Sequence, residues 1–196
     1  NYRIICVKST VPPKTTENII LPIIEQASSK VRYKDFGITF VPEFLSEGSA
    51  IKDITRPYKN VIGTNDTKSL LSIDNLMRKI YRRQIRTIKT NIVTAELIKY
   101  ANNAFLATKI SFINTIANVC NILPGADVDV IANALGSDPR IGSHFLVAGP
   151  GYGGSCLPKD LSGFIESCKE TGYDPVLLKA VGDVNDEQLN IIVNIL

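Results

Sequence analysis

A thiol, a lysine, an amide and several carboxylates stand in this chain where neighbouring residues could expose or orient them. The thiol is Cys156, in Gly149-Pro150-Gly151-Tyr152-Gly153-Gly154-Ser155-Cys156-Leu157-Pro158-Lys159-Asp160. Glycine reaches positive φ without steric cost, so four of them let a backbone turn tightly and come close to a ligand. A cysteine at the end of such a loop, with a cation and a carboxylate beside it, is displayed as a nucleophile would be. An ordinary small residue packed in a surface loop is the competing reading.

Lys99 and Asn103 are four apart in an otherwise charge-poor stretch. On a helix they share one face, one turn apart, and aim a cation and an amide at one place. A polar stripe opposite the core is the alternative. Glu43 and Glu47 bracket a loop after an apolar run. The carboxyl end of a strand in an open α/β sheet is where ligands bind, whereas surface exposure is the commonest fate of glutamate. Thr10 follows an earlier apolar run and belongs to the same edge by the same logic, unless it caps a helix.

The string Gly149-x-Gly151-x-x-Gly154 has the glycine spacing of a dinucleotide loop. Its context is wrong. That motif needs a strand before it, a helix opening at the last glycine and a βαβ unit after it. Here only 42 residues follow Gly154, they have helical periodicity, and Pro158 falls where the helix should open.

The elements that must position these groups come in two kinds. Residues 3–8, 38–41 and 60–63 are short, apolar and β-branched, which predicts strands. Residues 15–29 and a segment from Asp66 or Thr67 to about Tyr81 have helical spacing. Three strands are too few for a doubly wound sheet and would leave an edge exposed. With Asn1 leading at once into a strand, the chain is expected to be a piece of a longer protein. From Thr94 the character changes. Residues 94–123 lack Gly and Pro, and Leu97, Ala101, Ala104, Phe105, Thr108, Phe112, Ile116 and Val119 trace one broad stripe. A helix of that length, about 45 Å, bridges domains or packs on a partner subunit. Helices are also expected over residues 126–135, ended by Gly136, and over 161–170 and 175–196. The fold class is therefore α/β: the C-terminal part of a Rossmann-like sheet (residues 1–90), then an all-helical domain with one long helix (residues 91–196).

Composition narrows the rest. The 196 residues are 44% hydrophobic and 21% charged, with a net charge of +3, which suits a globular chain and gives nucleic acid little to hold. Lys79, Arg82, Arg83, Arg86 and Lys89 are expected to form a solvated helix face. No apolar run is long enough to span a membrane. Cys6, Cys120, Cys156 and Cys168 lie far apart and His144 is the one histidine, so a metal site is not expected. Reduced thiols in the cytoplasm are the default.

Four blocks together resemble the UDP-glucose/GDP-mannose dehydrogenase family, and within it the UDP-glucose 6-dehydrogenase group. They are Ser9-Thr10-Val11-Pro12, Pro42-Glu43-Phe44-Leu45-Ser46-Glu47-Gly48-Ser49-Ala50-Ile51, Ala95-Glu96-Leu97-Ile98-Lys99-Tyr100-Ala101-Asn102-Asn103-Ala104-Phe105-Leu106-Ala107-Thr108-Lys109-Ile110-Ser111-Phe112, and the 149–160 loop. They occur in the family's order across the whole chain. The resemblance implies an NAD-binding Rossmann domain, a central helical domain whose long helix forms a homodimer, and a C-terminal domain. On this pattern the NAD phosphate loop would lie before Asn1 and the last domain beyond Leu196, and residues 1–196 alone would not turn over.

The family oxidises a primary alcohol of a nucleotide sugar twice, with two NAD⁺. The resemblance makes Cys156 the nucleophile that carries a thiohemiacetal and then a thioester, both of which a thiol can form and release. It assigns Lys99 and Asn103 to developing oxyanion charge, Asp160 and Thr10 to a catalytic water, and Glu43 to acid–base work in hydrolysis. Substrate contacts fall on Glu43, Phe44, Leu45, Ser46, Glu47, Lys99, Asn103, Phe145, Gly149, Tyr152 and Gly153, with Arg140 reaching in from the neighbouring subunit. Ser9, Thr10, Val11, Glu47, Cys156 and Lys159 would lie beside NAD. Val147 departs from the pattern, since some members have a substrate-contacting lysine there; Leu157-Pro158-Lys159 is an ordinary variant. UDP-glucose is the sugar favoured by Pro42-Glu43-Phe44-Leu45, with UDP-N-acetylmannosamine and GDP-mannose as alternatives. NAD and NADP are not separable on these residues. A helical oligomerisation module without activity is the reading from a different class.

Overall fold

The computed structural model describes residues 2–46, 48–81 and 85–195. The chain divides into two compact units, residues 1–100 and 101–196. The division falls inside the longest helix.

In the first unit, β1 (Arg3–Val7), β2 (Phe36–Phe40), β3 (Lys59–Gly63) and β4 (Arg86–Thr90) form one sheet in that order. β1 and β2 run parallel, as do β3 and β4, while β2 meets β3 antiparallel at Phe40 and Gly63. All five residues of β2 are buried, as expected of a central strand covered on both faces. Side chains alternate between the faces. Val61 packs with Leu21, Phe36, Ile38, Phe40, Ile92 and Ala95. Its neighbour Ile62 packs with Val41, Ile73 and Met77. Each of these side chains larger than alanine contributes roughly 1.5–3 kcal/mol on burial.

Helices cover the sheet. A π-helical turn, Thr16–Ile20, runs into α1 (Leu21–Ser28), with Pro22 in the first turn and Ser29 left-handed at the end. The short α2 (Ala50–Thr55) precedes β3, and α3 (Thr67–Tyr81) follows it. Asp66 starts α3 as expected, its carboxylate accepting the N–H groups of Lys68 and Ser69 at 3.2 and 2.9 Å.

The described residues of the second unit form helices joined by loops, the longest loop running from 138 to 156. The unit contains most of α4 (Ile92–Ile122), then α5 (Val128–Ser137), α6 (Leu157–Glu170) and α7 (Val176–Ile195). Its core joins Ala104 and Ala107 of α4 with Tyr152, Leu161 of α6 and Val181 of α7. The 31 residues of α4 span about 46 Å at the usual rise. Leu97, Phe105, Phe112, Val119 and Ile122 of that helix are exposed.

The architecture is the expected one, with corrections in detail. The sheet has a fourth strand. Arg86 and Lys89, read as part of a solvated helix face, lie on β4; Arg82 and Arg83 fall outside the described residues. Its charges at 86 and 89 are three apart, as on one face of a helix, which let this edge strand pass for a polar helix. The segment 15–29 opens with a π turn. Gly136 lies inside α5, which starts at the Asp127 cap; one glycine costs a helix only about 1 kcal/mol and need not end it. α6 opens at Leu157, with Pro158 in its first turn, where proline has no hydrogen bond to lose. Pro158 is thus no obstacle to a helix there. The dinucleotide reading still fails, because no strand precedes Gly149 and α7 follows α6.

Candidate active site

Because β1 and β2 are parallel, the segments after them leave one edge of the sheet. Val41 N–H bonds the Val7 carbonyl at 2.9 Å where they diverge. Ser9, Thr10 and Val11 follow β1; Glu43, Phe44, Leu45 and Ser46 follow β2. Each segment is fixed by one buried or half-buried carboxylate.

Glu96 holds the first. It is wholly buried in the first turns of α4. Its two oxygens accept the backbone N–H groups of Lys14 and Thr16 at 2.6 and 2.9 Å. Lys14 has φ +72, an uncommon conformation for a residue with a side chain. Burial pushes the Glu96 carboxyl above its ordinary value, against the opposing pull of the Thr16 and Lys14 donors. Asp53 on α2 holds the second segment, accepting from Ser46 N–H at 2.9 Å and Ser49 Oγ at 2.7 Å. The Ser49 bond, with that of Ser46, holds its carboxyl below the usual range.

Lys99, three residues beyond Glu96 on the same helix, is 4% exposed. Its Nζ lies 3.2 Å from Glu43 Oε1 and 5.5 Å from the centre of the Phe44 ring. The other Glu43 oxygen accepts from Leu45 N–H at 2.6 Å. The polar stripe facing solvent is therefore ruled out for Lys99. A second cation sits at the same ring, since Lys59 Nζ is 4.3 Å from the Phe44 centre. Desolvation, then the Lys99 charge, lowers the Lys59 ammonium pKa. The antiparallel register of Phe40 with Gly63, carried four residues on, sets Lys59 opposite Phe44. Two ammonium groups and one carboxylate leave this cluster with a positive balance, which suits developing negative charge.

In the second unit, Cys156 is exposed and stands at the N-cap position of α6, its thiol making no capping hydrogen bond. Its Sγ is 3.6 Å from Ser155 Oγ, and its carbonyl accepts Asp160 N–H at 2.9 Å. Negative charge formed at that place meets the N-terminal end of a helix, which favours it. Asp160 is 2% exposed. Its Oδ2 accepts from Asn103 Nδ2 at 2.6 Å. Its Oδ1 is 3.1 Å from Lys159 Nζ, an ion pair without hydrogen-bond geometry. Asn103 is likewise buried.

Gly149 and Tyr152 are held by side-chain amides, and Tyr152 packs its ring in the core. Burial, reinforced by Asp186, pushes the Tyr152 phenol up to about 12, so it remains neutral at physiological pH. Gly153 is exposed. Phe145 has φ +66 and is partly exposed. Val147 is exposed. Arg140 is an exposed side chain held by Asp138 at 2.6–3.1 Å. Glu47 lies outside the described residues.

The structure thus groups Lys99 with Glu43 and Phe44 in the first unit, and Asn103 with Asp160 and Lys159 in the second. Sequence reasoning missed Lys59, Glu96 and Asp53. Glu96 had a signal, being the sole acid between residues 92 and 122.

Residues 1–85 match the family model described as the UDP-glucose/GDP-mannose dehydrogenase family, NAD binding domain, and residues 93–187 match its central domain. The chain is 46% identical over 187 residues to the UDP-glucose 6-dehydrogenase TuaD of Bacillus subtilis (strain 168), covering 95% of this chain and 39% of TuaD. It is 44% identical over 187 residues to the UDP-glucose 6-dehydrogenase AglM of Haloferax volcanii, covering 94% of this chain and 43% of AglM. It superposes on the solved UDP-glucose dehydrogenase of the archaeon Pyrobaculum islandicum with a TM-score of 0.88 at 37% identity, covering 94% of this chain and 41% of that one. The chain spans about two fifths of the length of these relatives. With both family models matched in order along residues 1–187, the chain belongs to the UDP-glucose/GDP-mannose dehydrogenase family.

Proposed function

We propose that the protein oxidises the C6 alcohol of UDP-glucose to the carboxylate of UDP-glucuronate in two steps on one enzyme. The reading is carried by one observation: an exposed thiol stands at the N-terminal end of α6, and four residues on a buried carboxylate is fixed by Asn103. Residues 1–90 are read as the C-terminal part of the NAD-binding domain and residues 91–196 as the central domain. When bound, NAD supplies the hydride acceptor for each oxidation. The common sheet edge fits its nicotinamide end, because open α/β sheets take nucleotides there; Ser9, Thr10, Val11, Glu47, Cys156 and Lys159 are assigned to it.

The chain's own groups do the rest. Phe44, Leu45, Ser46, Phe145, Gly149, Tyr152 and Gly153 hold the nucleotide sugar, with Arg140 serving the site of a second copy. Cys156 Sγ adds to the aldehyde of the first oxidation. The resulting thiohemiacetal is oxidised to a thioester, which water cleaves. Lys99 and Asn103 bear the negative charge that develops on oxygen, Asp160 and Thr10 hold the water, and Glu43 moves its proton. The Lys99–Glu43 pair supports this division, since the lysine is buried and the glutamate half-buried.

A second copy of the chain is the proposed partner. It would cover the exposed apolar face of α4, which carries Phe105, Phe112, Val119 and Ile122. Among the described residues no helix is long and apolar enough to cross a membrane.

The test is turnover by the complete protein. UDP-glucose should yield two NADH per molecule, and Cys156→Ser should abolish the second step. Full activity of Cys156→Ser would sink the reading. Preference for UDP-N-acetylmannosamine or GDP-mannose in a substrate panel would move it to another sugar.

A further inference from the structure

The glycine loop is gripped from behind by side-chain amides. Asn185 on α7 makes two hydrogen bonds to one residue: its Oδ1 accepts Tyr152 N–H at 2.7 Å, and its Nδ2 donates to the Tyr152 carbonyl at 3.2 Å. Gln188, three residues on along the same helix, donates from Nε2 to the Gly149 carbonyl at 3.1 Å. Asn114 on α4 accepts Gly149 N–H at 2.8 Å. Asn118, one turn beyond Asn114, donates to Gln188 Oε1 at 3.1 Å and so fixes which way the Gln188 amide faces. Both main-chain groups of Gly149 and both of Tyr152 are therefore satisfied by side chains. Asn114 and Gln188 are 1% and 3% exposed.

The residue between them shows how closely the grip is fitted. Gly151 has φ +99, and a Cβ placed on it would lie 2.6 Å from Asn185 Oδ1. The loop can reach Asn185 in this shape only with glycine at that position. The Tyr152 ring, buried in the core cluster with Leu161 and Val181, pins the same residue from its side-chain end.

We propose that Asn185, Gln188 and Asn114 form a main-chain clamp that pre-shapes the 149–153 loop for the sugar nucleotide, with Asn185 its principal positioning residue. This rests on the reading that the loop holds substrate. A loop already in its bound shape spends less binding free energy on ordering. The clamp touches neither the reacting atoms nor the residues assigned to NAD. Its loss should therefore appear as weaker binding of the sugar nucleotide, with chemistry and cofactor binding little changed.

Asn185→Asp in the complete protein tests this. Aspartate has the same shape and still accepts Tyr152 N–H, but it turns an acceptor toward the Tyr152 carbonyl. The expected result is a KM for the nucleotide sugar raised about tenfold, the size of one lost hydrogen bond. KM for NAD and kcat should stay within about twofold. An unchanged sugar KM overturns the clamp. So does a parallel change in kcat and both KM values with a lowered melting temperature, which marks general loosening. Should Asn185→Asp fail to fold, Gln188→Glu reverses the donor to the Gly149 carbonyl and is judged by the same outcomes. A parent protein that turns over no nucleotide sugar sinks the underlying function. An active parent with an indifferent Asn185→Asp sinks only the clamp.

Discussion

Asn103 and Asp160, 57 residues apart in sequence, are joined by a 2.6 Å hydrogen bond between two buried side chains. The amide is the donor, and the bond holds the carboxyl group in a defined orientation. Replacing Asn103 by Leu leaves that carboxylate without its buried donor, which should cost about 1–3 kcal/mol. Chemical denaturation of Asn103→Leu against the parent measures it. Asp160→Asn retains a polar pair and should fold nearly as well while losing at least about a hundredfold in kcat. A stable, fully active Asp160→Asn would remove Asp160 from the proposed water-holding role.

Glu43 faces the Lys99 ammonium with one oxygen and Leu45 N–H with the other. Glu43→Gln keeps a hydrogen-bond acceptor and removes the base. If Glu43 serves hydrolysis, this variant should accumulate the covalent species on Cys156. Intact-protein mass spectrometry after mixing with UDP-glucose and NAD should then show an acyl adduct that Cys156→Ala abolishes. Slow turnover with no adduct would place Glu43 before the thioester.

Glu96 sets a dependence on pH. Its folded-state pKa is raised above the ordinary 4.5 by burial, so the folded protein binds this proton more readily than the unfolded chain. The sign follows from linkage: the group's contribution to stability is fullest below the unfolded value and is lost as pH rises through the folded one. The melting temperature of the parent relative to Glu96→Gln should therefore improve as pH falls from 7 toward 4.5. A difference that stays flat over that range would contradict the raised pKa.

Phe105 and Phe112 stand 65% and 49% exposed on α4. Large exposed apolar faces mark association sites. Phe105→Asp with Phe112→Asp should convert the proposed dimer to a monomer. Light scattering at micromolar concentration reads the change directly, and an unaltered mass would move the interface elsewhere.

What was legible in advance followed from local chemistry. Cys156 was marked by its glycines, and Lys99 and Asn103 by their spacing on a charge-poor helix. Asp66 was marked by its place before a periodic run, where it indeed caps α3. What stayed hidden depends on pairing between distant residues. Lys59 reaches Phe44 because β3 runs antiparallel to β2, and nothing in its own neighbourhood announces that direction. β4 escaped because Arg86 and Lys89, three apart among Thr87, Ile88 and Thr90, fit a polar helix face until a partner strand is known. Pro158 misled because its effect depends on position within a helix, and the true start lay four residues earlier than expected.

Gly63 ends β3 where there is no room for a side chain. A Cβ there would meet the Ala95 Cβ at 2.4 Å, the Asn91 carbonyl at 2.9 Å and the Ile92 Cα at 3.1 Å. The same strand end is tied to β4, since Thr64 N–H bonds the Thr90 carbonyl at 2.9 Å. Strand pairing and the first turn of α4 thus share one tightly fitted junction. A side chain at position 63 would therefore press on the end of the strand and on the start of the helix that carries Glu96 and Lys99 together.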